Sequence, residues 1–272
     1  MTGAVRRLCR TAAALVAAAA ALPLGALARA GAQPWAMRAW CRLAAWALGL
    51  RVRLRGSLPP GGALVVVNHV GYLDILALGA VAPGRFLAKA EIARWIFLGA
   101  VSRWGGTLFV DRERPRASRL LVDELARRMS RGERLILFAE AGVSPDGTTL
   151  QPFRPMLFEA AVRSGRPVVP AAVRYLAPPD PRVWAWIDEP VLWRHLWKRV
   201  LGARRVEVEV RFGPALHPPR WGDRKALAVA ARDAVGRLLE GPAPGAGDVA
   251  GVSPLAPAGR GRPSAGTEDM RP

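Results

Sequence analysis

One stretch of the sequence limits the possible folds more than any other. The β-branched run Val65-Val66-Val67 leads into Asn68 and His69, and residues 72–81 follow with apolar side chains at helical spacing. This order predicts a buried strand, a short loop and a helix. Open α/β sheets place their functional sites where strands end, which is where His69 stands. The sequence therefore predicts an α/β fold with a site at this loop.

His69 and Asp74 are the first candidates for chemistry. Residues five apart on one continuous helix point roughly 140° away from each other, so the two side chains meet only if His69 lies in the loop. Asp74 would then occupy the first helical turn, where the positive end of the helix dipole favours an ionised carboxylate. Two interpretations stay open on spacing alone. The pair is either a base with its orienting partner, or a structural histidine beside a helix-capping aspartate.

Composition narrows the classes of partner. The chain has 272 residues, 40 basic and 21 acidic side chains and a formal net charge of +19, which favours anionic partners such as nucleic acid, anionic lipid or phosphorylated substrates. Ten tryptophans suit a protein at a membrane interface. Nucleic acid is not the expected partner: a nucleic-acid binder would require basic residues interleaved with exposed aromatics along one face, and the motifs described below account for the buried strands better. With only Cys9 and Cys41, a disulfide framework or a cysteine metal site is not expected.

The N-terminal region favours attachment to a membrane. Residues 11–28 are uncharged and rich in alanine, close to the ~20 residues that a spanning helix needs. Pro23 and Gly25 interrupt the run, so a shallow insertion of this helix into the membrane is one alternative. A cleaved signal peptide is the rival interpretation. Residues 1–34 are predicted to be a hydrophobic membrane anchor. Residues 35–50 are predicted to form an amphipathic helix, either at the interface or packed on the domain.

The remaining pattern predicts a mixed, largely parallel sheet flanked by helices, in one domain over residues 35–240. The predicted strands are 85–88, 106–112, 134–138, 167–175, 183–187 and 205–212, and the predicted helices are 91–101, 116–131, 153–164, 191–201 and 221–240. The strict alternation of residues 206–211 predicts a strand with one face in water. Residues 241–272 lack periodicity and are predicted to be a disordered tail.

Four sequence blocks in order resemble the lysophosphatidic acid acyltransferase family of glycerolipid acyltransferases. Asn68-His69 through Asp74 is similar to its His-four-residues-Asp motif, and residues 106–112 are similar to its second motif, which ends here in Phe-Val-Asp-Arg. Phe138-Ala139-Glu140-Ala141-Gly142 stands where the family has Phe-Pro-Glu-Gly-Thr, and Val169-Pro170 matches the fourth block. The third block departs from the pattern but keeps its glutamate. Pro152-Phe153-Arg154 replaces the usual Pro-Phe-Lys and keeps the positive charge.

The resemblance implies roles for particular residues. His69 would be the general base that a lipid hydroxyl requires, and Asp74 would fix its tautomer. Backbone N–H groups in the turn after the strand are candidate donors to the oxyanion. The substrate-binding residues would be Asn68, Arg112, Glu140, Gly142 and Arg154, with the two arginines on the acceptor phosphate and Glu140 shaping that pocket.

The resemblance also implies a substrate and a location. The expected reaction moves a fatty acyl chain from acyl-CoA or acyl-carrier protein to lysophosphatidate, forming phosphatidate, with no cofactor or metal. Alternatives are another lyso-lipid, such as lyso-ornithine lipid, or a non-catalytic basic protein bound to a membrane surface with anionic lipid. Because acyl thioesters are intracellular, we expect a retained anchor in a bacterial inner membrane, with the active site on the cytoplasmic side.

Overall fold

The computed structural model describes residues 2–28, 31, 33–110, 115–140, 142, 149–177, 180–185, 191–241 and 250–251. The α-helices are α1 (Gly3–Leu27), α2 (Gln33–Ala47), α3 (Tyr72–Val81), α4 (Ile96–Trp104), α5 (Pro115–Ser130), α6 (Glu159–Ser164), α7 (Leu192–His195) and α8 (Arg224–Glu240). A π-helix, Leu196–Leu201, continues α7, and 3-10 turns occupy Ala90–Arg94, Pro155–Phe158, Pro181–Val183 and Pro218–Arg220. The strands are β1 (Leu50–Arg55), β2 (Ala63–Val67), β3 (Arg85–Lys89), β4 (Leu108–Val110), β5 (Arg134–Phe138), β6 (Val168–Ala177), β7 (Val206–Phe212) and β8 (Ala250–Gly251).

The strands form a single eight-stranded sheet in the order β4-β3-β5-β2-β6-β7-β1-β8. Strands β4, β3, β5, β2 and β6 are parallel to one another, β7 is antiparallel to β6, and β1 is parallel to β7. The short β8 pairs antiparallel with β1. The prediction of a mixed, largely parallel sheet between helices is confirmed.

Strand β2 lies at the centre of the sheet, and its five residues are all buried. Because side chains alternate across a strand, Val65 and Val67 enter one core while Leu64 and Val66 enter the other. The first core packs against α1, α2, α3, α4 and the α7 segment, and the second against α5, α6 and α8. The apolar run seen in the sequence therefore reflects burial on both faces.

Helices α1 and α2 pack together on one face of the domain. The indole N–H of Trp40 donates to the carbonyl oxygen of Ala17 at 3.1 Å. Gly79 of α3 lets α2 approach closely, since a Cβ there would lie 2.4 Å from Sγ of Cys41. By length and composition α1 is able to cross a membrane, a property that signal sequences and buried core helices share.

Three expectations differ from the structure or fall outside it. Strand β7 is buried along its whole length, including Glu207, Glu209 and Arg211, so the prediction of one face in water is wrong. The strand predicted at 183–187 is wrong at Val183, which ends a 3-10 turn, and residues 186–187 lie outside the described residues. Of the predicted disordered tail, only Gly241 and β8 are described, so that prediction stays untested.

Candidate active site

His69 and Asp74 meet as the sequence predicts. His69 lies in the loop after β2, and Asp74 is the third residue of α3. The imidazole Nδ1 lies 3.0 Å from Oδ2 of Asp74. The Asp74 side chain is fully buried, whereas 20% of the His69 side chain is exposed. The pair is thus anchored at its carboxylate and open at its imidazole.

The Asp74 carboxylate is held from four directions. Oδ2 accepts the backbone N–H groups of Val70, at 2.6 Å, and Gly71, at 2.9 Å, in addition to its contact with His69. Oδ1 accepts the hydroxyl of Tyr175 at 2.6 Å. A carboxylate with this many donors is fixed in orientation. It favours the His69 tautomer with hydrogen on Nδ1, which leaves the lone pair on Nε2 for a substrate.

Glu140 ties the third sequence block to the first. One carboxylate oxygen accepts the His69 backbone N–H at 3.0 Å, and the other accepts the Gln151 N–H at 2.8 Å. Burial raises the pKa of Glu140, although these two hydrogen bonds oppose the rise. Because β2 and β5 are parallel neighbours, both loops leave the same edge of the sheet. Glu140 therefore shapes the loop that presents His69.

The other predicted binding residues differ in whether they are buried or exposed. Asn68 is buried, and its amide exchanges two hydrogen bonds with the backbone of Val173, at 2.8 and 3.1 Å. It fixes the end of β2 to β6 and faces away from solvent. Arg154 and Gly142 are both exposed, and the Arg154 backbone N–H donates to the carbonyl of Ala139 at 3.2 Å. Arg112 lies outside the described residues.

Two residues of the site were not predicted from the sequence. Phe138 stacks on the His69 ring, with centroids 4.0 Å apart and planes 24° apart. Its position follows from the register, because Phe138 lies beside Val67 in the sheet. Tyr175 reaches Asp74 from β6, about a hundred positions along the chain. Only the pairing of β2 with β6 brings it there, and sequence alone does not fix that pairing.

The turn after β2 uses its own backbone donors. The N–H of His69 is bonded to Glu140, and those of Val70 and Gly71 are bonded to Asp74. These three groups therefore do not serve as oxyanion donors in this arrangement. Within the described ranges, no group of three or more histidine, cysteine or carboxylate side chains is arranged to hold a metal ion.

Comparison with known proteins places this chain in a family. Residues 49–174 match the family model described as Acyltransferase, a range that contains His69, Asp74 and Glu140 and ends one residue before Tyr175. The lyso-ornithine lipid O-acyltransferase of Rhodobacter capsulatus is 37% identical to this chain over 201 residues, which are 72% of each protein. The chain belongs to the glycerolipid acyltransferase family. The resemblance seen in the four sequence blocks is confirmed, and the protein is an acyltransferase enzyme.

Other members of the family carry a different acceptor in their names. The 1-acyl-sn-glycerol-3-phosphate acyltransferase of Neisseria gonorrhoeae is 33% identical over 189 residues, 68% of this chain and 72% of that protein. The fold is also that of a solved structure, the 1-acyl-sn-glycerophosphate (LPA) acyltransferase PlsC from Thermotoga maritima. That match has a TM-score of 0.59 and 21% identity, and covers 85% of this chain and 96% of that one.

Proposed function

We propose that this enzyme moves a fatty acyl chain from an acyl thioester to the free hydroxyl of a lysolipid, with His69 as general base. The observation that carries the proposal is the contact between Nδ1 of His69 and the fully buried carboxylate of Asp74. A partly exposed imidazole fixed by a buried carboxylate is what base catalysis at a hydroxyl requires. A purely membrane-binding protein would have no need for this pair.

The chemical steps follow from these two side chains. Nε2 of His69 takes the proton of the acceptor hydroxyl as its oxygen attacks the thioester carbonyl. The resulting tetrahedral oxyanion collapses, the carbon–sulfur bond breaks, and the imidazolium returns its proton to the leaving thiolate. Asp74 stabilises the imidazolium between the two steps. The donor, acyl-CoA or acyl-carrier protein, is already activated, so the mechanism uses direct transfer.

The first experiment supplies the purified protein with a radiolabelled acyl-CoA, or a labelled acyl-carrier protein, and a panel of lysolipids in mixed micelles. We expect one labelled diacyl product, formed in proportion to enzyme and time. Hydrolysis of the donor with no acylated lipid on any member of the panel would contradict the proposal.

For the acceptor, we propose lysophosphatidate, with phosphatidate as product. Arg154 is exposed beside the Glu140 loop, where a guanidinium can meet a phosphate with two parallel hydrogen bonds. Arg112 stands at the second arginine position of the resemblance. A hydrogen bond to a charged group contributes ~1.5–3 kcal/mol, so two such contacts could set acceptor choice by a hundredfold or more.

Lyso-ornithine lipid is the second candidate acceptor. The observation that favours it is the name of the Rhodobacter relative, which is more similar to this chain than the Neisseria protein is. Its zwitterionic headgroup offers an ammonium as well as a carboxylate, so arginines alone would recognise it less well than a phosphate monoester.

Paired kinetics separate the two acceptors. Wild type, Arg112→Ala and Arg154→Ala would each be assayed on lysophosphatidate and on lyso-ornithine lipid. The matched control is Arg131→Ala, an exposed arginine before β5 and therefore at the opposite end of that strand from Glu140. We expect lysophosphatidate to be preferred, and each binding-site variant to raise its KM about tenfold. A wild type that ignores lysophosphatidate but acylates lyso-ornithine lipid would assign the second acceptor and leave His69 and Asp74 in their roles.

We also propose that α1 is retained as an anchor at the bacterial inner membrane, with the active site on the cytoplasmic side, where acyl thioesters are made. N-terminal sequencing of the mature protein from membranes tests this. A sequence that begins near Gly31 would show a cleaved signal peptide instead.

A further inference from the structure

The segment that contains α7 and the following π-helix, Val191–Leu201, has two different faces. Its inner face carries the buried His195, Val200 and Leu201. Its outer face carries Trp193 and Trp197, which are 53% and 41% exposed, with ring centroids 5.6 Å apart. Two neighbouring exposed indoles are unusual on a water-facing helix and typical of a membrane interface.

The same outer face is basic. Arg194, Lys198 and Arg199 are exposed between and beside the two tryptophans. A surface cavity of about 640 Å³ lies between α1, the turn from α2 to β1 and the residues just before β7, and its lining includes Arg10, Trp46, Arg51, Arg204 and Arg205. Basic residues beside interfacial aromatics match the charge of an anionic lipid surface.

Helix α1 is fixed to this segment. The Arg10 guanidinium donates to the carbonyls of Val200, at 3.1 Å, and Ala203, at 2.7 Å. These carbonyls lie at the C-terminal end of the π-helix, where a cation is favoured. The side of α1 turned away from the domain exposes Leu8, at 72%, and Leu15, at 67%. The exposed apolar side chains of α1 and the tryptophan-bearing segment are therefore carried by two elements that are bonded to each other.

We propose that the outer face of Val191–Leu201 is a second membrane-docking surface, which seats on an anionic phospholipid bilayer with Trp193 and Trp197 in the interface and the arginine-lined cavity against lipid phosphates. This goes beyond an N-terminal anchor, because it places a segment from the C-terminal half of the domain on the lipid. The inner face also links this segment to the site, since Nδ1 of His195 lies 3.1 Å from the hydroxyl of Tyr72, the first residue of α3. Docking would therefore hold the helix that carries Asp74 at a fixed depth.

A fluorescent probe at position 193 tests contact with lipid without any turnover. The label is placed on Trp193→Cys in the full chain carrying Cys9→Ser. Cys41 is fully buried, and burial raises the pKa of its thiol to about 12, so it does not compete for the label. The protein is reconstituted into phosphatidylcholine vesicles that contain phosphatidylglycerol and nitroxide-labelled lipid. The control probe replaces Leu120 of α5, which is 71% exposed on the opposite face of the sheet.

We expect the probe at 193 to be quenched by the nitroxide lipid and shielded from aqueous iodide, and the probe at 120 to show the reverse. A probe at 193 that iodide reaches as easily as the one at 120 would overturn the proposal, whether the face then proved to bind a protein or only water. Charge is tested separately with Arg51→Ala and Arg204→Ala. Each should weaken binding to anionic vesicles about fivefold and leave binding to neutral vesicles unchanged. Equal loss on both kinds of vesicle would contradict the role of the cavity.

Discussion

Asp74 and Glu209 are both fully buried, yet different groups hold their carboxylates. Asp74 is bonded to two backbone N–H groups, one tyrosine hydroxyl and the imidazole of His69. Glu209 is surrounded by arginines, with Arg55 at 2.8 Å, Arg211 at 2.6 Å and Arg174 at 3.7 Å. The Asp74 carboxylate orients the partly exposed imidazole of His69. The Glu209 carboxylate instead neutralises arginines beside it in the sheet.

Two adjacent residues of β6 connect these places. Tyr175 donates to Asp74 on one face of the sheet, and Arg174 reaches Glu209 on the other. Arg174 and Arg211 also donate to the carbonyls of Gly241 and Leu238, at the end of α8. The comparison shows that burial of a charge does not by itself mark a functional site. What marks Asp74 is the titratable partner that reaches solvent.

The largest expected effect is on catalysis at Asp74. Asp74→Asn keeps the shape of the side chain and one acceptor oxygen, but it removes the charge that stabilises the imidazolium. We expect the rate to fall by ~10²–10⁴, with the fold preserved. Steady-state kinetics would be combined with circular dichroism of the same preparation. A variant that turns over like wild type would show that Asp74 is only a helix cap.

Glu209→Gln should give the opposite result to Asp74→Asn, with stability lost and activity kept. It breaks a buried ion network and leaves Arg55 and Arg211 without their shared counter-charge, which costs about 3–5 kcal/mol of unfolding free energy. Activity per folded molecule should stay near wild type, because the ion pairs described for Glu209 join it to Arg55, Arg174 and Arg211 and not to the His69 loop. Denaturant unfolding followed by intrinsic fluorescence gives the unfolding free energy, and the steady-state rate divided by the folded fraction gives the activity per folded molecule. Loss of activity at full stability would erase the distinction between the two regions.

Tyr175→Phe should have an intermediate effect on both the catalytic rate and the unfolding free energy. The variant removes one hydrogen bond to a buried carboxylate, worth ~1.5–3 kcal/mol, while three other donors still hold Asp74. We expect a kcat loss of about tenfold, clearly smaller than that of Asp74→Asn. The matched control is Tyr72→Phe, which loses a bond to His195 and leaves Asp74 untouched. If both tyrosine variants behaved alike, the contact with Asp74 would have no special role.

The smallest expected effect is a pH dependence at Glu140. Because burial raises the pKa of this carboxyl, the folded protein holds its proton more tightly than the unfolded chain does. Between the ordinary glutamate pKa and the raised one, this group therefore reduces the unfolding free energy as pH rises. Glu140→Gln removes that slope. The unfolding free energies of the two proteins, plotted against pH across the acidic range, should converge or cross. Parallel plots would contradict the raised pKa.

The local elements of the fold were mostly predictable from the sequence. The side-chain contacts between neighbouring strands were less predictable. The strand-loop-helix around His69 was predictable because β-branched residues and helical spacing are local signals. Glu140 was predictable as a motif position, but its two hydrogen bonds depend on β5 lying beside β2. The buried charges of β7 were mistaken for a solvent face, since alternation of valine and glutamate looks the same whether water or arginines from β1 and β6 cover the polar side.

The central claim is that His69 is the base for acyl transfer to a lysolipid, and the rate of His69→Ala tests it most directly. Wild type and variant would be compared at saturating labelled donor on the best acceptor of the panel, after unfolding curves show equal stability. We predict a loss of ~10²–10⁴ in kcat, with KM for the acceptor little changed. A correctly folded His69→Ala enzyme that transfers acyl chains at the wild-type rate would contradict the account.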